Sequence, residues 1–172
     1  GWNNVSDNNT GKSIGGSVTL KPTGSLTIIE NYMTGPERSG TNDDWRNTSD
    51  TVVTYTASPQ LTLAANYDFG KDGDSQWQGI AGYAKYQANE WFAFSPRFEY
   101  YDDSDGFSTG LSQKLKELTL TGEFKHKDGV LFKLEYRGDF SDQSFFIKNA
   151  NGLVKNQNSL TFGFVYAFSS KS

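Results

Sequence analysis

The chain ends in an alternating run, Ser159 to Phe168, that reads S-L-T-F-G-F-V-Y-A-F. Large apolar or aromatic residues occupy every second position, and mostly small residues stand between them. Because successive side chains of a β-strand point to opposite faces, this run predicts a strand with one ring-rich, apolar face. Such a face needs a cover, which is either a second sheet or lipid.

The same alternation recurs along most of the chain and predicts nine strands. No segment has a helical period, so we expect an all-β protein. The phase blurs at Ile29-Glu30, which suggests a β-bulge there. The predicted strands are residues 13–21, 25–34, 51–57, 61–69, 77–87, 91–101, 115–126, 130–140 and 159–168.

Short and long connections alternate between these strands. The short ones are Pro22–Gly24, Ser58–Gln60, Ala88–Glu90 and Lys127–Gly129, and the long ones are residues 35–50, 70–76, 102–113 and 141–158. Short turns on one side and longer loops on the other are typical of outer-membrane barrels, whose tilted strands need about 9 to 11 residues. A soluble β-sandwich and a lipocalin-like barrel with its apolar face inward are the alternatives.

Composition excludes several classes of protein. The net charge is −4 and no basic run occurs, which argues against nucleic acid as a partner. The absence of cysteine excludes disulfides and thiolate metal sites, and we expect no cofactor. No apolar run approaches the roughly 18 residues of a spanning helix. The first residues, Gly1–Asn4, lack the features of a signal peptide, so an exported protein of this sequence would be a mature chain or a fragment.

Aromatic residues gather near both ends of the predicted apolar face, as expected at membrane interfaces. If Phe168 lies at the periplasmic end, every other strand direction follows. The rings of the predicted belt at the long-loop end are Tyr32, Tyr67, Phe69, Trp77, Tyr100 and Phe140, and those at the short-turn end are Tyr86, Trp91, Phe92, Phe124, Phe132 and Phe168.

Several short motifs carry a family resemblance. They are Gly1-Trp2-Asn3-Asn4 with Asp7-Asn8-Asn9, then Asn31 to Glu37 (N-Y-M-T-G-P-E), and Glu99 to Asp103 (E-Y-Y-D-D) leading to Asp105-Gly106-Phe107. Together they resemble the C-terminal part of the OmpL-like β-barrel porins, and the end at Phe168 resembles the C-terminal strand signal of bacterial outer-membrane proteins. The resemblance implies a Gram-negative outer-membrane location, with the lipid bilayer and the outer-membrane assembly machinery as partners.

These observations predict one domain over residues 1–172, an antiparallel, transmembrane, up-and-down β-barrel of about 8 to 10 strands. Nine strands place the first and last in the same direction, and Gly1–Asn4 would be the stub of a tenth. The chain is therefore either a piece of a larger barrel or a small barrel that closes by rearranging its N-terminal region or by self-association.

Charged residues concentrate on the opposite face of three consecutive strands, where both signs alternate. The predicted lumen-lining residues are Arg97, Glu99, Glu117, Glu123, Lys125, Lys133, Glu135, Arg137 and Asp139. In a wide barrel they would form a polar wall that passes small hydrophilic solutes or ions. In a narrow barrel they would fill the lumen, and the protein would have a structural or loop-mediated binding role without conductance.

Three other motifs are weaker. His126 is the only histidine and lies at a short turn, so we expect no enzyme activity. Asp102 to Gly106 (D-D-S-D-G) is acidic but lacks the remaining ligands of a calcium loop, which favours a solvated loop and no metal. Arg137-Gly138-Asp139 spells an adhesion tripeptide, but on a strand its charged residues would face the lumen.

Overall fold

The computed structural model of the chain describes residues 5–126, 129–148 and 152–168, and these residues form strands, turns and loops. No helix in this part of the chain is long and apolar enough to cross a membrane. The all-β prediction is confirmed. The segments Gly1–Asn4 and Ser169–Ser172, together with Lys127 and Asp128 of the expected last turn, lie outside the described residues.

Eleven strands follow one another along the described chain. They are β1 (Ile14–Thr23), β2 (Leu26–Pro36), β3 (Trp45–Thr56), β4 (Leu61–Asp72), β5 (Ser75–Gln87), β6 (Phe92–Asp103), β7 (Gln113–Lys125), β8 (Val130–Ser141), β9 (Phe146–Ile147), β10 (Leu153–Val154) and β11 (Asn156–Tyr166).

Nine of the strands form one antiparallel sheet in the order β1-β2-β3-β4-β5-β6-β7-β8-β11. Each strand pairs with the next along the chain, so the predicted up-and-down order is confirmed. The remaining two, β9 and β10, form a small hairpin of their own inside the connection from β8 to β11. The sequence did not predict this hairpin, because each of its strands has only two residues.

The connections define two ends of the sheet. The short-turn end carries residues 24–25, 57–60 and 88–91 and the link from β7 to β8, and the long-loop end carries residues 37–44, 73–74 and 104–112 and the connection from β8 to β11. The prediction of a long loop at residues 70–76 is wrong. Lys71 pairs with Gln76 and Asp72 with Ser75, so a two-residue turn at Gly73-Asp74 joins β4 to β5. Backbone pairing continues past the apolar pattern because it does not depend on apolar side chains.

Two further expectations on strand geometry are corrected. Strand β3 begins at Trp45 instead of Thr51, since its polar first half pairs with both neighbouring strands. The suggested bulge at Ile29-Glu30 is absent from the described ladders: both residues pair in regular register with β1 and β3. The irregularity lies instead between Leu20 and Thr23, next to the first turn.

The sheet has two unlike faces. Its outward face carries large apolar side chains that remain exposed, with Leu160 at 72% and Phe162 at 68%. The opposite face contains the buried residues, among them Ala81 and Thr119. A cavity of about 350 Å³ on that face takes side chains from β4 through β8, so the sheet curves toward it, and we call it the concave face.

The two edge strands do not pair with each other in the part of the chain that the structure describes, and there the sheet is open. Both β1 and β11 run from the long-loop end to the short-turn end. The nine strands therefore cannot close on themselves through an antiparallel pair.

Gly129 is a position where the fold requires glycine. Its φ is +79°, and an added Cβ would lie 2.4 Å from the carbonyl oxygen of Ala167. We expect Gly129→Ala to lower the free energy of unfolding by about 1–2 kcal/mol, because a left-handed backbone is costly for other residues. Gly24→Ala, in a turn where the added Cβ meets no atom within 4 Å, is the matched control. Urea unfolding followed by tryptophan fluorescence measures both, and equal stabilities of the two variants would contradict this expectation.

Candidate functional site

The concave face brings together all nine residues that the sequence predicted for a lumen. Because the ladders from β5 to β11 run without a register shift, the same face continues from strand to strand. Their side chains alternate with apolar residues that point outward. The nine are Arg97 and Glu99 on β6, Glu117, Glu123 and Lys125 on β7, and Lys133, Glu135, Arg137 and Asp139 on β8.

Glu123 is the centre of one charge cluster. Its carboxylate lies 2.6 Å from Lys85 Nζ and 2.9 Å from Lys133 Nζ, and so it connects β5, β7 and β8. The glutamate side chain is 8% exposed, whereas both lysines are more than 40% exposed. A nearly buried carboxylate held by two cations is stable only while those partners remain.

Arg97 is the centre of a second cluster. One of its terminal nitrogens lies 2.6 Å from Glu99 and also forms an ion pair with Glu117, whose side chain is 5% exposed. The guanidinium carbon of Arg97 lies 5.9 Å from the ring centroid of Tyr83, within cation–π range. This cluster connects β5, β6 and β7.

The remaining predicted residues are also partnered. Arg137 forms an ion pair with Asp139 at 2.8 Å, so both charged members of the Arg137-Gly138-Asp139 tripeptide lie on the concave face. Lys125 donates to the side-chain oxygen of Gln87 at 3.3 Å. Glu135 accepts a hydrogen bond from the Thr121 hydroxyl at 2.8 Å.

The charges are arranged in rows across the strands. Glu99 pairs in register with Glu117, and Glu117 with Asp139, which places three acidic residues side by side. Like charges directly opposite each other are destabilising. The next row toward the short-turn end carries Arg97 and Arg137, with Thr119 between them. These arginines supply the countercharge, which explains why the ion pairs run along the strands as well as across them.

Sequence reasoning missed the part of the charged face that lies on β3, β4 and β5. Lys85 lies in the phase opposite to the apolar residues of β5, a signal that was available in the sequence. Asp50 was placed in a loop because β3 was predicted to begin too late. In the structure it accepts hydrogen bonds from Asn31 at 2.8 Å and from Asn66, and it pairs in register with Asp68.

At the long-loop end, the loop of residues 104–112 folds onto the concave face; we call it the Phe107 loop. The ring of Phe107 stacks on Trp77 with a centroid distance of 4.2 Å and an interplanar angle of 5°. The guanidinium of Arg46 also lies over the Phe107 ring, with its central carbon 5.0 Å from the ring centroid. Arg46 in turn forms an ion pair at 2.8 Å with Asp72, whose side chain is 3% exposed.

This contact corrects the position expected for Trp77. It was assigned to the aromatic belt on the outward face, but Trp77 pairs with Gly70 on the concave face. An added Cβ at Gly70 would lie 2.0 Å from the Trp77 ring, so glycine is what allows the indole to lie flat on the sheet. The correct face could have been predicted, because Trp77 is out of phase with the apolar residues Ile80 and Tyr86.

The other aromatic residues of the predicted belts that lie on strands point to the outward face. Tyr67, Phe69, Tyr100 and Phe140 lie toward its long-loop end. Four tyrosine hydroxyls there contact polar side chains nearer the loops: Tyr32 with Asn47 at 2.7 Å, Tyr67 with Gln78 at 2.9 Å, Tyr100 with Asp102 at 3.5 Å and Tyr136 with Asn158 at 2.9 Å. We call these four residues the tyrosine row.

At the short-turn end, the rings pack against one another. The ring of Trp91 lies 5.8 Å from Phe92 and 6.3 Å from Phe124, and Phe168 stacks on Tyr166 at 5.9 Å. Phe168 remains 82% exposed. The outward face therefore has rings at both ends, which is the geometry of two interfacial belts.

The acidic loop considered for calcium uses its carboxylates within the protein. Asp103 is fully buried and accepts hydrogen bonds from Ser108 and Thr109, and Asp105 accepts one from the backbone N–H of Gln76 at 2.8 Å. Within the described ranges, no group of His, Cys, Asp and Glu side chains is placed to hold a metal ion.

Glu123→Gln tests the first charge cluster. We expect it to lower the free energy of unfolding by about 1–2 kcal/mol, because two lysines lose a charged partner while their own exposure limits the loss. Glu135→Gln is the control, since an amide oxygen can still accept the hydrogen bond from Thr121. Urea titration at low and at high salt measures the free energy of unfolding of both variants. If at low salt Glu123→Gln loses no more of it than the control does, the cluster adds nothing to stability.

Comparison with known proteins gives one match. The family model described as "Putative beta-barrel porin-2, OmpL-like" matches residues 1–168. Searches of curated proteins and of solved structures found no match. The match covers nearly the whole sequence and agrees with the antiparallel up-and-down sheet. The chain therefore belongs to the OmpL-like family of bacterial outer-membrane β-barrel porins.

Proposed function

We propose that the concave face is the wall of a water-filled pore through which small hydrophilic solutes or ions diffuse passively across the bacterial outer membrane. The observation that carries this proposal is the separation of the two faces. One face is continuous, charged and hydrogen-bonded over β3 to β8, and the other carries exposed apolar side chains over β4 to β8. Membership of a porin family supports a channel role over a catalytic one.

The outward face has the composition of a lipid-facing surface. Among the described strand residues, its charged side chains are Lys71, Asp102, Lys114 and Lys116 near the long-loop end and Glu30 on β2. The middle of the face from β4 to β11 is uncharged and carries residues such as Phe98 and Leu134, which are 52% and 47% exposed. Lipid would cover this surface without any second sheet, and the tyrosine row would lie at the headgroup level.

The terminal strand adds a second partner to the proposal. Strand β11 presents Leu160, Phe162, Phe164 and Tyr166 on one exposed face, followed by Phe168. An exposed apolar strand of this kind fits recognition by the outer-membrane assembly machinery before insertion into the bilayer.

The concave face carries more acidic than basic side chains. On β3 to β8 it carries nine carboxylates and six cations, and this excess favours cations over anions in a pore. The acidic residues are Asp50, Asp68, Asp72, Glu99, Asp103, Glu117, Glu123, Glu135 and Asp139, and the basic residues are Arg46, Lys85, Arg97, Lys125, Lys133 and Arg137.

A closed, charge-filled barrel is the second candidate. The ion pairs around Glu123 and Arg97 already neutralise much of the wall. In a barrel narrow enough for these clusters to meet across the lumen, the same residues would form a plug. The protein would then act through its loops or as a structural element.

Single-channel recording in planar lipid bilayers separates the two candidates. A pore gives discrete conductance steps, and we expect a modest preference for potassium over chloride from the reversal potential in a potassium chloride gradient. Folded protein that migrates as a compact, heat-modifiable form on a gel but never conducts would support the charge-filled barrel and overturn the pore.

Asp50 and Asp68 test the source of the preference for cations. Replacing both with asparagine removes two negative charges from the concave face, and the potassium-to-chloride permeability ratio should fall. Asp74→Asn, at the tip of the β4–β5 turn, changes the charge outside this face and should leave the ratio at the wild-type value. A double variant with an unchanged reversal potential would show that these carboxylates do not face the conducting path.

Phe162→Arg and Thr161→Arg test the lipid-facing assignment on neighbouring residues. Phe162 lies on the outward face in the middle of β11, and Thr161 lies on the concave face. Arginine at the midplane of a lipid-facing surface costs about 2–4 kcal/mol, whereas arginine facing a lumen costs much less. Urea titration of both variants in lipid vesicles measures the difference, and equal stabilities would place the outward face in water or against protein.

A further inference from the structure

We propose that the Phe107 loop is a built-in constriction at the long-loop mouth of the pore and that Phe107, held by Trp77 and Arg46, limits the size of the solutes that pass. This inference rests on the proposed pore function. It adds the residues that determine size selection, which lie outside the charged wall described above.

The first support is the position of the contact. Trp77 and Arg46 both lie on the concave face, where Trp77 pairs with Gly70 and Arg46 pairs with Asp72. A phenyl ring stacked on Trp77 and in contact with Arg46 is therefore on the side that would enclose the lumen. The loop begins at the end of β6 yet reaches side chains of β3 and β5, so it folds inward over the concave face.

The second support is the way in which the loop is fastened at its base. Asp103, which has no exposed surface, accepts hydrogen bonds from the N–H of Thr109 at 2.8 Å and from its hydroxyl at 2.8 Å. The same hydroxyl accepts a bond from Gln113 at 2.8 Å, and Gln113 accepts one from Ser141 at 2.7 Å. This chain of contacts ties the loop to β7 and β8.

The third support is a backbone contact at the far side. Pairing between β5 and β6 reaches Gln78 and Asp102 but does not extend to Gln76. The carboxylate of Asp105 accepts a hydrogen bond from the backbone N–H of Gln76 at 2.8 Å. It replaces the carbonyl that a longer β6 would offer at this position. The loop is thus held at three places: at its base, at Phe107 and at Gln76 near the start of β5. Three attachments fit a fixed constriction better than a mobile lid.

The anchoring residues are themselves held in place. Asp72 lies between Arg46 at 2.8 Å and Arg38 at 3.2 Å, and its side chain is 3% exposed. Arg38 belongs to the β2–β3 loop and lies against the β4–β5 turn at Gly73. Two connections therefore meet over this corner of the mouth, and Phe107 has a rigid surface to stack on.

Phe107→Ala removes the stacked ring but leaves the base of the loop unchanged. The wild type and this variant are reconstituted in liposomes, and the swelling rates are measured with a series of neutral sugars from mono- to tetrasaccharides. We expect the variant to admit larger sugars and its single-channel conductance to rise roughly twofold, because the narrowest point of a pore dominates its resistance. Phe107→Tyr keeps the ring and should retain the wild-type cutoff.

Phe98→Ala is the matched control, since it makes the same change on the outward face and should leave the size cutoff unaltered. Trp77→Ala removes the other half of the stack and provides an independent variant in case Phe107→Ala does not fold. If the stack acts as one unit, the double variant should give the same cutoff as either single variant.

The outcomes distinguish this inference from the proposed function. A wild-type protein that does not conduct at all overturns the pore. A wild-type protein that conducts, with Phe107→Ala and Trp77→Ala both retaining the wild-type conductance and sugar cutoff, leaves the pore intact and overturns the constriction.

Discussion

The structure depends on one geometric constraint, a register that runs unbroken from β2 to β11 in the nine-stranded antiparallel sheet. Side chains alternate between faces with a period of two, so a slip of one residue in any ladder would exchange the outward apolar and the charged sets on every strand beyond it. The ladders from β2 to β11 contain no such slip, and the irregularity in β1 lies beside its turn. The face on which Glu123 meets Lys133 is therefore the same face on which Asp50 meets Asn66.

Electrostatics and register reinforce each other on the concave face. The acidic row of Glu99, Glu117 and Asp139 would be repulsive by itself, and Arg97 and Arg137 one step along the strands compensate for it. A slipped ladder would bring Glu117 opposite an apolar residue and leave its buried carboxylate without a cation, which is strongly unfavourable. The ion pairs thus favour the observed pairing of β6, β7 and β8 over a slipped one.

The sequence predicted the alternating elements well because alternation is a local property. The apolar phase of β6, β7 and β8 and the shared face of the nine predicted residues could be assigned from period two alone. The errors occurred where polar residues continue a strand beyond the apolar pattern, as in the first half of β3 and around Gly73. Hydrogen bonding of the backbone extends those strands, and side-chain polarity does not report it.

The position of the Phe107 loop could not be predicted from the sequence, for a different reason. Its position depends on contacts between residues far apart in the chain, such as Phe107 with Arg46 and Gln76 with Asp105. Trp77 shows where a local signal was present: its phase opposes that of Ile80, and Gly70 has no side chain to obstruct an indole on its face. A large ring paired with a glycine on the polar face of a strand predicts a packing partner from elsewhere in the chain.

The open edges follow from strand parity. In lipid each unpaired backbone group costs several kcal/mol, so the edges of β1 and β11 both need a partner strand. Because the two edge strands run in the same direction, pairing them directly would give a parallel contact in an otherwise antiparallel sheet. A strand running from the short-turn end to the long-loop end is antiparallel to both edges at once. Closure with antiparallel pairs throughout therefore needs an odd number of additional strands that alternate in direction, which restores the even count of bacterial barrels.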